Sequence, residues 1–200
     1  MKDMPDHRFV DREGVRLHYV VAEPESAAGR DSAGTVVLLH GFPHFWFTWH
    51  RMIPVLTAAG WRVIAPDLRG MGQSGAPADV TAYAPGEVVD DVVAVCDAER
   101  ADRVVLIGFD FGAGVAYDTC HLEPERVRAV IGMENPFMST AGSVPPLEGS
   151  AMIAEKHFLH LHYFAQPGVA EVDLAGRERE FLTRVFWALS ADFHYLDVWQ

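Results

Sequence analysis

The run Gly108-Phe109-Asp110-Phe111-Gly112 follows a short apolar stretch, Arg103 to Ile107, and leads straight into a helical pattern from Phe111 to His121. Glycines two residues before and two after a central side chain permit a sharp strand-to-helix turn that lifts this side chain clear of a sheet. Here the lifted group is a carboxylate. A carboxylate is ionised at neutral pH without help from a base, so it can attack an electrophilic carbon directly and leave an ester on the protein. Two other readings of the run stay open. A phosphate-binding turn fits poorly, because glycines 108, 112 and 114 do not match G-x-G-x-x-G and a pyrophosphate would meet the Asp110 carboxylate. Asp110 can also be read as the N-cap of the helix that follows it.

The elements that must position Asp110 are legible as short β-branched runs alternating with longer helical patterns. His7 to Glu13 and Val15 to Ala22 read as strands joined at Gly14; Thr35 to Leu39, Trp61 to Ala65, Arg103 to Ile107 and Arg126 to Met133 read as further strands. Between them, Trp46 to Ala59, Glu87 to Arg100 and Phe111 to His121 have helical spacing. Such β-α-β alternation predicts an α/β fold with a doubly wound, mostly parallel sheet. After Glu134 the rhythm stops. A stretch rich in Pro, Gly and Ser, Asn135 to Gly149, gives way to helical patterns over Ser150 to Ala165 and Gly176 to Ser190. The expected organisation is a sheet core over residues 1–137 and a helical cap segment over 138–200.

In a doubly wound sheet the ligand crevice lies outside the carboxyl ends of the strands. His40-Gly41-Phe42-Pro43, at the end of the strand Thr35 to Leu39, therefore faces the same cavity as Asp110. Taken in order, His40 to Pro43, then Asp67-Leu68-Arg69-Gly70-Met71-Gly72-Gln73-Ser74-Gly75, then Gly108 to Gly112 and finally Glu134 resemble the α/β-hydrolase superfamily. The resemblance is to its aspartate-nucleophile branch, which contains epoxide hydrolases and haloalkane and haloacetate dehalogenases. It implies Asp110 as nucleophile, with the backbone N–H groups of Phe42 and Phe111 as an oxyanion hole for hydrolysis of the ester. Water is then the co-substrate, Glu134 the acid that orients a histidine base, and no metal or organic cofactor is called for. In the family that histidine follows the last strand, and the 200 residues are expected to stop short of it, leaving the core incomplete.

The resemblance also guides the choice of substrate. Haloalkane enzymes hold the departing halide with side-chain N–H donors at the positions occupied here by Phe42 and Phe111, and haloacetate enzymes bind a carboxylate with arginines where this chain has Phe111 and Gly114. Both are disfavoured, though dehalogenation remains the alternative. Epoxide opening needs an acid from the cap. The run His160-Leu161-His162-Tyr163-Phe164-Ala165-Gln166-Pro167 resembles a cap-helix segment of the family and makes His160 the acid, with His162 and Tyr163 as competitors and Tyr195 a candidate partner. His40 and Pro43 join Tyr163 as expected substrate contacts, although His40 also reads as a prop for its loop. His44 is a further candidate for the cavity. His7, His18, His50 and His121 read as surface or structural, and His157 and His194 fall in the cap pattern. Phe45, Trp46 and Phe158 fit an apolar cavity or an ordinary core equally well. A different class of reading is a binding module or catalytically incompetent fragment, in which Asp110 is alkylated without turnover.

Composition bounds the partners. With 16 Lys and Arg against 28 Asp and Glu, the net charge of −12 and the absence of a basic stripe exclude a nucleic-acid binder of the usual kind. Cys96 and Cys120 read as two buried thiols, and Met1-Lys2-Asp3-Met4-Pro5-Asp6 lacks the apolar core of a signal peptide. The expectation is a cytoplasmic protein without a membrane partner, acting on a small apolar electrophile. The apolar cap helices either cover a site or meet a second copy in a homodimer.

Overall fold

The computed structural model describes residues 5–24, 33–134, 163–164 and 166–189. The chain divides into two compact units, Met1–Met138 and Ser139–Gln200. In the first, β1 (Asp6–Arg12) and β2 (Val15–Ala22) form a hairpin across Glu13 and Gly14, whose positive φ values of 49° and 82° suit a two-residue turn. Strands β3 (Gly34–Leu39), β4 (Trp61–Pro66), β5 (Val104–Phe109) and β6 (Val127–Met133) then run parallel, in the sheet order β1-β2-β4-β3-β5-β6. β2 lies antiparallel to β4 and joins the hairpin to them.

The buried stretches of the central strands are apolar because both faces of the sheet are covered. On one face, Leu17, Val37, Leu39, Ile64 and Leu106 pack with Val92, Val95 and Cys96 of α2 (Pro85–Ala98) and Ala116 of α3 (Phe111–Leu122). On the other, Val36, Leu38, Val63 and Ile107 pack with Trp46, Trp49 and Ile53. The doubly wound expectation therefore holds. The helix expected over Trp46 to Ala59 is instead two pieces, a 3-10 turn at Trp46–Trp49 and α1 (Ile53–Ala58). Pro54 is the cause: it has no N–H to donate and its ring would clash with the carbonyl of His50, so it is tolerated only in the first turn of a new helix.

Cys96 lies in the core, where burial pushes its thiol up to about 12, but Cys120 is exposed. The expectation of two buried thiols fails at Cys120 because the inward face of α3 is set by Gly112, Ala113, Ala116 and Thr119. Position 120 is turned about 100° from Thr119 around the helix. In the second unit, α4 (Val169–Leu174) and α5 (Glu178–Leu189) are described. α5 matches the helix expected over Gly176 to Ser190; α4 was not anticipated. Most of the helix expected over Ser150 to Ala165 lies outside the described residues.

Glu99, just past α2, ties three elements together. Its buried carboxylate accepts hydrogen bonds from Tyr19 Oη at 2.8 Å, from Arg8 Nη1 at 2.7 Å and from Arg62. Burial alone would raise this carboxyl, but the three donors outweigh it and hold it below the usual range, while burial and Glu99 push Tyr19 up to about 12. A folded-state value below the unfolded one contributes stability that is present above the ordinary glutamate range and lost as pH falls through the folded value. Glu99→Gln is therefore expected to be less stable than the parent at pH 7, with the gap shrinking below about pH 4.5. Urea unfolding followed against pH checks this, and a gap that stays constant down to pH 3 would count against it.

Candidate active site

β3 stands between β4 and β5, so the order of the chain reverses there, and a crevice opens outside the carboxyl ends of the strands at such a point. Register decides what reaches it. Leu39 pairs with Gly108 and Phe109 with Met133, so His40-Gly41, Asp110 and Glu134 emerge side by side from three neighbouring strand ends.

Asp110 occupies the sharp turn between β5 and α3 at φ 51°, ψ −125°, a region costly for any residue with a side chain. Its carbonyl starts the helix by accepting the Ala113 N–H at 3.0 Å, but its side chain makes no capping bond. The carboxylate turns instead toward the neighbouring loop, where the Phe42 N–H donates to Oδ1 at 2.8 Å. The side chain is therefore not the cap of α3. Glycine is required on both sides of the turn and in the loop that faces it: a Cβ on Gly108 would overlap the Gly112 carbonyl. A Cβ on Gly112 would overlap the backbone of Leu39 and His40, and one on Gly41 would overlap the Asp110 side chain.

The loop that supplies Phe42 is fastened at its start by His40. His40 is fully buried; its Nδ1–H donates to the Gly41 carbonyl at 3.0 Å and its Nε2 accepts the Leu68 N–H at 3.0 Å. Both ring nitrogens are engaged inside the protein, and burial holds the ring below the ordinary histidine range, hence neutral. The expectation that His40 contacts substrate is therefore corrected to the other role, that of a prop. Pro43 follows through a cis peptide bond and is half-buried. His44 is half-buried with its ring edge-on to Phe109 at 5.2 Å; burial lowers its basicity against the opposing pull of the Phe42 carbonyl and Asp110.

Phe42, whose N–H meets Asp110, and Phe111, which follows Asp110 in the chain, are 37% and 51% exposed, two large apolar side chains open to solvent. Phe111 opens α3, so its N–H belongs to the first turn, whose amides have no carbonyl within the helix to bond. A family model for the alpha/beta hydrolase fold matches residues 34–153, which takes in β3 to β6 and the turn at Asp110.

The chain belongs to the α/β-hydrolase family.

It is similar to Epoxide hydrolase A of Mycobacterium tuberculosis, with 36% identity over 185 residues that make up 92% of this chain and 55% of that protein. It is also similar to Bifunctional epoxide hydrolase 2 of Sus scrofa, with 38% identity over 161 residues, 80% of this chain and 27% of that one. The crystal structure of Epoxide Hydrolase A from Mycobacterium thermoresistibile matches with a TM-score of 0.78 at 36% identity, over 95% of this chain and 58% of that one. An epoxide hydrolase of Vigna radiata matches with a TM-score of 0.75 at 28% identity, over 94% and 57%. The chain spans about half the length of the curated relatives it matches.

Within this α/β-hydrolase core, Glu134 is exposed at the end of β6 with φ 74°, adjacent in register to Asp110. Tyr163 lies in the second unit, where its hydroxyl donates to Asp173 at 3.2 Å. His160, His162, Phe158 and Tyr195 lie outside the described residues. Among the described residues no group of His, Cys, Asp and Glu is placed to hold a metal ion. A groove of about 500 Å³ lined by Trp49, Met52, Val55 and Phe109 runs beside the residue before Asp110 but does not include Asp110. Sequence reasoning gives Asp67 no role beyond its place in the motif and reads His18 as surface or structural; both are fully buried and hydrogen-bonded to each other at 2.7 Å. The signal was there in Asp67: a carboxylate directly following an apolar buried strand must find internal donors.

Proposed function

We propose that the chain carries the nucleophile-bearing part of an epoxide hydrolase and acts through a covalent ester on Asp110. The observation that carries this reading is the Asp110 carboxylate, raised on a strained turn with the Phe42 N–H on Oδ1 at 2.8 Å. Likeness to relatives named as epoxide hydrolases supports the substrate class.

An Asp110 oxygen attacks an epoxide carbon, a C–O bond forms, and the ring C–O bond breaks. The departing alkoxide takes a proton from an acid of the cap segment, with His160 or Tyr163 in that role. The product is a hydroxyalkyl ester. Water then adds to the ester carbonyl carbon and gives up its proton to a histidine base oriented by Glu134. The resulting oxyanion accepts hydrogen bonds from the N–H groups of Phe42 and Phe111; its collapse breaks the ester C–O bond, the departing alkoxide takes the proton left on the Asp110 carboxyl to give a diol and the carboxylate, and the proton on the histidine returns to the cap acid. Phe42 and Phe111 offer a departing halide no side-chain donor, which weighs against dehalogenation. Their exposed rings suit an apolar substituent on the epoxide.

To test this, the chain is incubated with styrene oxide in ¹⁸O-labelled water and its mass is measured intact and after digestion. One covalent adduct on the Asp110 peptide, or ¹⁸O incorporated into Asp110 where the ester has turned over, is the expected result. Neither label on that peptide, or an adduct formed equally by Asp110→Asn, sinks the proposal.

A further inference from the structure

Asp67, at the end of β4, plays no part in the proposed chemistry, yet its carboxylate is 1% exposed and fully supplied with donors. Oδ1 accepts the Trp46 N–H at 2.8 Å; Oδ2 accepts the His18 Nδ1–H at 2.7 Å and the Gln73 N–H at 2.9 Å. Behind His18 stands His7, with Nδ1 of the one 2.9 Å from Nε2 of the other, and the His7 ring meets Trp46 edge-on at 5.2 Å. The next residue, Leu68, gives its N–H to His40 Nε2 at 3.0 Å.

Two consecutive residues of one strand end thus hold both ends of the loop His40 to Trp46. Leu68 fastens the start through the His40 ring and Asp67 fastens the finish through the Trp46 amide. Between these anchors the loop carries the Phe42 N–H that donates to Asp110. The closeness of Gly41 to the Asp110 side chain leaves the loop no room to approach further, and the two anchors oppose its receding. We infer that Asp67, supported by His18, is a positioning residue that sets the distance between the Phe42 N–H and the Asp110 carboxylate. This inference rests on the reading of Asp110 as nucleophile for its catalytic consequence, though its geometric claim does not.

The test uses the full chain and two readouts, hydrogen exchange at individual amides and the rate at which styrene oxide labels Asp110. Asp67→Ala is expected to speed exchange at Phe42 and Trp46 by about tenfold or more, while the core amides of Val37 and Leu106 keep their protection. Labelling of Asp110 should slow by about tenfold, since small misplacements at a reacting group cost one to two orders of magnitude. Asp67→Asn retains an Oδ1 acceptor for Trp46 and should recover most of both effects. Where Asp67→Ala does not fold, His18→Phe keeps ring volume while removing one donor, and a smaller rise at the same two amides supports the inference. Unchanged exchange at Phe42, or exchange rising equally at Val37 and Leu106, overturns it. A chain in which Phe42 follows Asp67 but Asp110 is never labelled keeps the anchor and sinks the proposed function.

Discussion

Asp110→Gly is expected to stabilise the chain while abolishing the proposed reaction with an epoxide. At φ 51°, ψ −125°, a residue with a Cβ costs about 1–3 kcal/mol, a cost glycine does not carry. Against this, glycine adds unfolded-state entropy worth about 0.4–1 kcal/mol. The Phe42 N–H loses its bond to Oδ1, but it lies where water can replace the oxygen, so the loss is at the small end of the range for hydrogen bonds. The balance favours the variant by about 1 kcal/mol, which raises the melting temperature of a chain this size by about 2–4 °C. Asp110→Ala keeps the strained turn and loses the same bond, so it should fall below the parent. The gap between the glycine and alanine variants, measured by urea unfolding, isolates the strain. Both should lose covalent labelling by about 10⁴-fold or more, as removal of a nucleophile does elsewhere. A glycine variant no more stable than the alanine one refutes stored strain, and labelling that survives in either refutes the nucleophile.

That opposition of stability and reactivity explains why the site was legible in part. Asp110 announced itself because the strain needs glycines at fixed offsets, and fixed offsets are visible in a sequence. The strands were legible for a related reason: Val36 to Leu39, Val63 to Ala65 and Leu106 are buried on both faces, so no polar residue interrupts them. Where local pattern and tertiary context diverge, the reading failed. Trp46 to Ala59 has helical spacing, yet Pro54 divides it. His40 stands near Asp110 in register, but its ring points inward to serve Gly41 and Leu68, a direction that residue type cannot encode. Asp67 and His18 are 49 residues apart, and only the pairing of β2 with β4 brings them together.

Asp91→Ala is expected to cost more stability than any surface change in the chain, because of what it leaves behind. Arg69 is 4% exposed and Asp91 5%. The guanidinium reaches Asp91 through two bonds, Nε to Oδ2 at 2.6 Å and Nη2 to Oδ1 at 2.5 Å, and also donates to the carbonyls of Ala82 and Glu87. The bond to Asp91 is the main reason the guanidinium is held above its ordinary range. Removing the carboxylate leaves the buried guanidinium with a more distant ionic partner, the half-exposed Glu87 carboxylate at 3.8 Å, and cutting one side of a buried pair costs about 3–5 kcal/mol, whereas replacing both partners by apolar groups of similar volume is often neutral. Asp91→Ala should therefore lower stability by about 3–5 kcal/mol, and Arg69→Met combined with Asp91→Leu by clearly less. Arg12 also donates to Asp91 at 3.3 Å, but it keeps Glu87 and Asp90 as partners. Chemical denaturation of the three proteins decides the matter, and a double variant as weak as the single one would show that the pair contributes net attraction beyond satisfying its own burial. The consequence reaches the site, since Arg69 directly follows the two residues that fasten the Phe42 loop. Asp91→Ala should therefore loosen the Phe42 and Trp46 amides together with the core, whereas Asp67→Ala should loosen them alone.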